Sequence, residues 1–187
     1  MTALFEFARV DTNRYPGFPC AWSHTDRHDS THRFTLWRVW DDRLPYMQVI
    51  GLNPSTAHEE ALDPTVTRVQ RWAQAWGFGA FTMTNLFGFR SPHPTVMQAS
   101  ADPVGADNDH WLHTAFRGAG LVVAAWGNGG EFLDRAQRFL ESRAGLGLPE
   151  LHCLGVTANG SPIHPLARGR HRVPDDVQPI LWPVPGS

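Results

Sequence analysis

Three polar side chains stand at the ends of apolar runs: Asn53 after Val49-Ile50-Gly51-Leu52, Asn85 towards the end of 80–86, and His164 directly after Ile163. Two amides and an imidazole can read a polar heterocycle by its donors and acceptors, orient a water and stabilise developing charge. The stretch Gly51-Leu52-Asn53-Pro54-Ser55-Thr56 combines several useful properties. Gly51 lets backbone approach a ligand, Pro54 fixes its own φ and restricts Asn53, and Ser55 and Thr56 can cap a helix or hold an anion. A turn that Asn-Pro-Ser builds for structure alone is the competing reading of the same residues.

Other groups with chemical potential are weaker signals. His24, His28 and His32 recur every four residues with Asp26 and Asp29 between them, which would align three imidazoles if the segment were helical. The flanking Ser, Thr and Asp favour a polar loop instead, so no metal site is expected. Gly127-Asn128-Gly129-Gly130 lacks both the lysine of a P-loop and the dinucleotide glycine spacing. Arg168, Arg170 and Arg172 form the densest cationic stretch. All sixteen basic residues are Arg and none is Lys, so catalysis through a lysine Schiff base is excluded. With Cys20 and Cys153 far apart and no CxxC, an iron-sulfur cluster or a cysteine-held zinc is not expected. The net charge of −2 means that any nucleic-acid contact must come from a local basic patch.

The elements that must position these groups follow from periodicity. Residues 34–40 and 46–52 are rich in β formers on either side of an Asp41-Asp42-Arg43 turn and read as an antiparallel pair. Asp63-Pro64-Thr65 opens a helix to about Trp76, whose apolar positions Val66, Val69, Trp72, Ala73 and Trp76 face the core. Strands are expected at 80–86, 121–126 and 151–156, and helices at 104–117 and 131–142, with 91–94 a loop and Asn159-Gly160 a turn. The continuous apolar run 121–126 suits a central parallel strand covered on both faces. The expected fold is therefore α/β, three layers with a mainly parallel central sheet, and its strand ends share one edge where Asn53, Asn85 and His164 converge. Residues 1–33 read as an irregular N-terminal extension, 34–173 as one domain and the Pro-rich 174–187 as a surface tail.

Four stretches in order give a resemblance to the uracil-DNA glycosylase superfamily: Gly51-Leu52-Asn53-Pro54-Ser55, Thr82-Met83-Thr84-Asn85-Leu86-Phe87-Gly88-Phe89-Arg90, the apolar strand ending in Trp126-Gly127, and His164-Pro165-Leu166-Ala167-Arg168. The first resembles the Asn-bearing motif of mismatch-specific members. More closely, Asn53 to Ala57, Asp63 to Thr65, Asn85 to Phe87, Asp102 to Asp109 and Ala125 to Gly127 resemble a bacterial and phage family catalogued as a domain of unknown function.

The superfamily resemblance implies a monofunctional, lysine-independent DNA N-glycosylase that flips a modified or damaged base into a pocket. In that reading Asn53 positions water and His164 stabilises the departing base. Asn85 and Phe87 hold the base, Gly51, Pro54, Ser55, Thr56, Arg90, Trp126 and Gly127 complete the substrate site, and Arg168, Arg170 and Arg172 hold flanking phosphates. No cofactor is expected, and the chain reads as cytoplasmic, monomeric and without a membrane segment. The alternatives are a non-catalytic module for a nucleotide or modified base, an enzyme of free nucleosides or nucleotides, and a metal hydrolase built on His24, His28 and His32.

Overall fold

The computed structural model describes residues 30–55, 64–143 and 148–183. Its β-branched and aromatic runs form six strands: β1 (Leu36–Val39), β2 (Tyr46–Gly51), β3 (Ala80–Asn85), β4 (Leu121–Ala124), β5 (Leu151–Cys153) and β6 (Ile180–Leu181). The sheet order is β1-β3-β2-β4-β5-β6. The four inner strands run parallel and the two edge strands antiparallel, so the expected mainly parallel α/β sheet is present.

Among the described residues four α-helices accompany the sheet: α1 (Pro64–Ala75), α2 (Pro94–Gln98), α3 (Asn108–Gly118) and α4 (Arg135–Arg143). Side chains alternate across a strand, and β2 shows what that does to the layers. Met47 and Val49 join a core with Val69, Trp72 and Ala73 of α1. Tyr46 and Ile50 join a second core with Leu112 and Phe116 of α3 and Phe139 of α4. Helices thus cover both faces, and each fully buried Ile, Val or Phe contributes about 1.5–3 kcal/mol to holding the layers together. Gln48, fully buried within β2, donates from Nε2 to Thr84 Oγ1 (2.9 Å) and the Leu112 carbonyl (3.1 Å), which ties the central strand to β3 and α3. No helix among the described residues is long and apolar enough to cross a membrane.

Several expectations change. β1 does not pair with β2; it runs antiparallel to β3, Leu36 opposite Met83. The reason is that both edges of β2 are occupied by β3 and β4, leaving β1 only the outer edge of β3. The loop 91–94 leads into the short α2, opened by Pro94 at its first position. The helix expected from Val104 begins at Asn108, because Gly105 takes φ +84 and its N–H is held by Asp102 Oδ1 at 2.8 Å. Residues 127–134 form a 3₁₀ segment that breaks at Leu133 (φ 54) and Asp134 (φ 54), so α4 starts only at Arg135. β5 stops at Cys153.

Both ends of the described chain enter the fold. Arg33 N–H donates to the Gly88 carbonyl (3.0 Å), and Arg90 N–H to that of Thr31 (2.9 Å). Within 174–183, read from sequence as tail, Ile180 and Leu181 extend the sheet as β6, and Trp182 is buried with its ring 5.2 Å from that of Trp126. Trp72 and Trp76 of α1 donate from Nε1 to the carbonyls of Asp175 (2.9 Å) and Val177 (3.2 Å), which ties this segment down.

Candidate functional site

The chain leaves β2 through α1 to reach β3 on one side, then returns through α3 to β4 on the other. β2 and β4 are neighbours whose connections diverge, and open α/β sheets bind ligands at the carboxyl ends of such a pair. A cavity of about 430 Å³ lies there, within the range of small-molecule sites. Its wall brings together Asn53, Asn85 and His164 with Gly51, Pro54, Ser55 and Trp126 of the expected set.

Asn85 closes β3 and is 5% exposed. Its side-chain amide has no hydrogen-bond partner among the described residues, and it lines the cavity. A buried amide without a protein partner costs about 1–3 kcal/mol unless a ligand or water completes it. The side chain lies across the end of β2: a Cβ on Gly51 would sit 2.6 Å from Asn85 Oδ1. Gly51 is therefore needed for close approach.

Asn53 plays a braced part. Its Nδ2 donates to the carbonyls of Ser91 (2.8 Å), Pro54 (3.2 Å) and Phe89 (3.4 Å), which ties the loop after β2 to the loop after β3. This orients the amide and leaves Oδ1 as the group that can accept from a bound water. His164 accepts at Nδ1 from the Leu166 N–H (3.1 Å). A ring nitrogen that accepts carries no proton, so the neutral imidazole is protonated at Nε2. Trp126, buried at the end of the β4 run, presents an apolar wall held by the rings of Trp182 and Phe139, 5.2 and 6.1 Å away.

Other expected residues lie elsewhere. Phe87 is fully buried in the core on the α3 and α4 side, 5.6 Å from the Phe132 ring and under the Arg135 guanidinium, and does not line the cavity. Arg90 is outside the wall as well; its Nη1 donates to the Ser30 carbonyl (2.8 Å), and burial lowers its guanidinium pKa. Gly127, at φ +66, donates its N–H to Pro162 (2.9 Å), linking β4 to the loop that carries His164, without lining the cavity. Arg168, Arg170 and Arg172 are exposed beyond His164. Arg68 of α1 anchors that stretch by donating to the Pro165 carbonyl (2.8 Å) and to Asp175 (2.8 Å). Thr56, Asp63, His24 and His28 fall outside the described residues. His32 is buried and serves the fold: Nε2 donates to the Asp102 carbonyl (2.8 Å) and Nδ1 accepts from Thr31 Oγ1 (2.9 Å). No group of three metal-ligating side chains occurs among the described residues.

Two features went unread in the sequence. Arg33 lines the cavity and is 4% exposed. Behind Asn85, Asn108 Nδ2 donates to the carbonyls of Asn85 and Leu86 (both 3.1 Å). Arg135 donates to the Leu86 carbonyl from Nη2 (2.8 Å) and Nε (3.0 Å), and pairs with Asp109 at 2.5 Å. This network holds the end of β3 from the face opposite the cavity. Its sequence signal was Asn108-Asp109, which also reads as an ordinary acidic helix start.

The family model described as "Protein of unknown function (DUF1643)" matches residues 33–166. No curated protein and no solved structure matches the chain.

Proposed function

We propose that this chain, which belongs to the DUF1643 family, is a base-processing enzyme of the hydrolytic DNA-glycosylase kind, with an architecture like that of the uracil-DNA glycosylase superfamily. The observation that carries this reading is the buried Asn85 amide, without a partner among the described residues, in a cavity shared with Asn53 and His164. A side-chain amide offers a donor beside an acceptor, the complement of the N–H and C=O edge of a pyrimidine. Leu52, Met83, Trp126 and the ring of Pro92 supply apolar surface for a flat heterocycle. The role first given to Phe87 passes to these groups, since its ring belongs to the other core.

In this mechanism the target nucleotide leaves the stack and its base enters the cavity. As the glycosidic C–N bond breaks, the base departs with the electron pair, and His164 donates from Nε2 to the growing charge. A water held by Asn53 Oδ1 adds to the sugar carbon and releases its proton to the base or solvent. An amide is a weak general base, so turnover is slow or the leaving group good. The test is incubation with oligonucleotides carrying uracil, mismatched thymine or hypermodified pyrimidines, followed by detection of abasic sites. Release from none of them sinks the catalytic reading. A non-catalytic base-binding module is the second reading, favoured by the three carbonyls that occupy Asn53 Nδ2. Asn53→Ala separates the two: it removes turnover while sparing affinity if Asn53 orients water.

Two further outcomes follow. Gly51→Ala pushes the Asn85 amide aside, so nucleoside affinity falls about tenfold or more, at a stability cost of about 1–3 kcal/mol; calorimetric titration and thermal melting read the two effects. Changing Arg168, Arg170 and Arg172 together to Gln weakens DNA binding whatever the sequence. It reduces the slope of log affinity against log salt by roughly 2–3, as the loss of that many phosphate contacts requires.

A further inference from the structure

Two amides line the same cavity, and the fold treats them differently. Asn53 is fixed, because its Nδ2 donates to the carbonyls of Ser91, Pro54 and Phe89 and leaves Oδ1, an acceptor, as the end offered to a ligand. Asn85 is not fixed in this way. The residue is 5% exposed, its amide has no hydrogen-bond partner among the described residues, and the end of β2 that it crosses is a glycine with no side chain to engage it. Ser91 of the same wall spends its hydroxyl within its own loop, donating to the His93 carbonyl (2.8 Å) and accepting from the His93 N–H (3.1 Å). What is held at Asn85 is the backbone: its carbonyl accepts from Asn108 Nδ2 at 3.1 Å, and the residue lies opposite Gly51 in the pairing of β2 with β3.

The two ends of a carboxamide are alike in shape and opposite in hydrogen bonding. An amide that no neighbour orients can turn half a circle about its last bond with little change in packing, so Asn85 can offer its donor and acceptor in either order. Uracil and thymine present a carbonyl beside an N–H, whereas cytosine presents an amino group beside a bare ring nitrogen. The two edges make opposite demands on one amide. Resting on the base-binding reading above, we infer that Asn85 reads both: the cavity accepts uracil-type and cytosine-type bases alike, and the amide turns to suit each. Discrimination between substrates then falls to the energy of extruding the base, which is least for mispaired or unpaired nucleotides. The substrate class is therefore pyrimidines in mispaired or single-stranded DNA, whichever group they carry at C4.

The test is calorimetric titration of the full chain with 2′-deoxyuridine and with 2′-deoxycytidine. Their affinities are expected to agree within about threefold. An amide fixed in one orientation would instead reject the wrong edge by about 10²-fold or more, because buried donors and acceptors would face their own kind. Asn85→Ala is expected to weaken both nucleosides by about tenfold or more, and by the same factor. The amide it removes has no protein hydrogen bond to lose, and a melting curve establishes that the variant folds; if it does not, the ratio in the parent chain still decides. A preference above about tenfold for either nucleoside overturns the inference and leaves the base-binding reading standing. Unchanged affinities in a folded Asn85→Ala also overturn it, since the base is then read by other groups. If neither nucleoside binds, the base-binding reading itself fails and takes the inference with it.

Discussion

His164→Ala is expected to lower the rate of base release about 10²- to 10³-fold, the usual effect of removing a donor aimed at developing charge, with little change in substrate affinity. The expectation comes from the ring's hydrogen bonding. Nδ1 accepts from the Leu166 N–H at 3.1 Å, so the proton of the neutral imidazole sits on Nε2. The bond also fixes the ring plane within the loop that Ala167 closes by donating to the His164 carbonyl at 2.9 Å. A donor held this way strengthens as charge reaches the base and contributes less to the ground state, so its loss appears in kcat more than in KM. His164→Gln, which keeps an N–H donor on a side chain of similar reach, is expected to recover part of the rate. Single-turnover kinetics on an oligonucleotide substrate make the measurement. A loss confined to KM, or the same loss in both variants, would reassign His164 to binding or to holding its loop.

How far the sequence discloses this site depends on how local each signal is. Asn53 and Asn85 were legible because each ends an apolar run, and an apolar strand followed by one amide is a pattern a few residues long. The family likeness carried by Asn53 to Ala57, Asn85 to Phe87 and Ala125 to Gly127 was legible for the same reason, and the chain does belong to a family of unknown function. Phe87 entered the expected site through the superfamily resemblance alone, and its ring lies in the core instead of the cavity wall. β3 stops at Asn85, the Leu86 carbonyl is captured by Asn108 and Arg135, and the Phe87 N–H turns to the Leu52 carbonyl at 2.9 Å. The ring therefore enters the opposite core.

Arg33 had no local signal, because it reaches the site through strand pairing across about fifty residues of intervening chain, β1 onto β3. That pairing was hidden for a topological reason: a hairpin of β1 with β2 satisfies the local pattern equally well until β4 claims the other edge of β2. The closing segment was illegible in another way. A two-residue strand has no period to detect, and its attachment depends on the Nε1 donors of Trp72 and Trp76, more than ninety residues earlier.

The largest stability effect is expected at Arg135, away from the cavity. Its side chain is 8% exposed and three of its nitrogens are engaged, two on the Leu86 carbonyl and two on the Asp109 carboxylate, with Nη2 shared. Removing it in Arg135→Leu strips the Leu86 carbonyl of its strongest donors and leaves Asp109 unpaired, for a cost of about 2–4 kcal/mol. Asp109 is 57% exposed and can recover solvation, so Asp109→Asn should cost far less, about 1 kcal/mol or below. Asn108→Ala falls between them: Asn108 is 1% exposed, and its Nδ2 serves two carbonyls. Equilibrium denaturation of the three variants gives the order directly. The coupling to function is a second expectation of the same experiment, because the carbonyl that Asn108 holds belongs to Asn85. Asn108→Ala should weaken nucleoside binding at temperatures where the protein remains folded, whereas Asp109→Asn should not. If all three variants bind alike, the network serves the core alone, and the end of β3 is set by its pairing with β2.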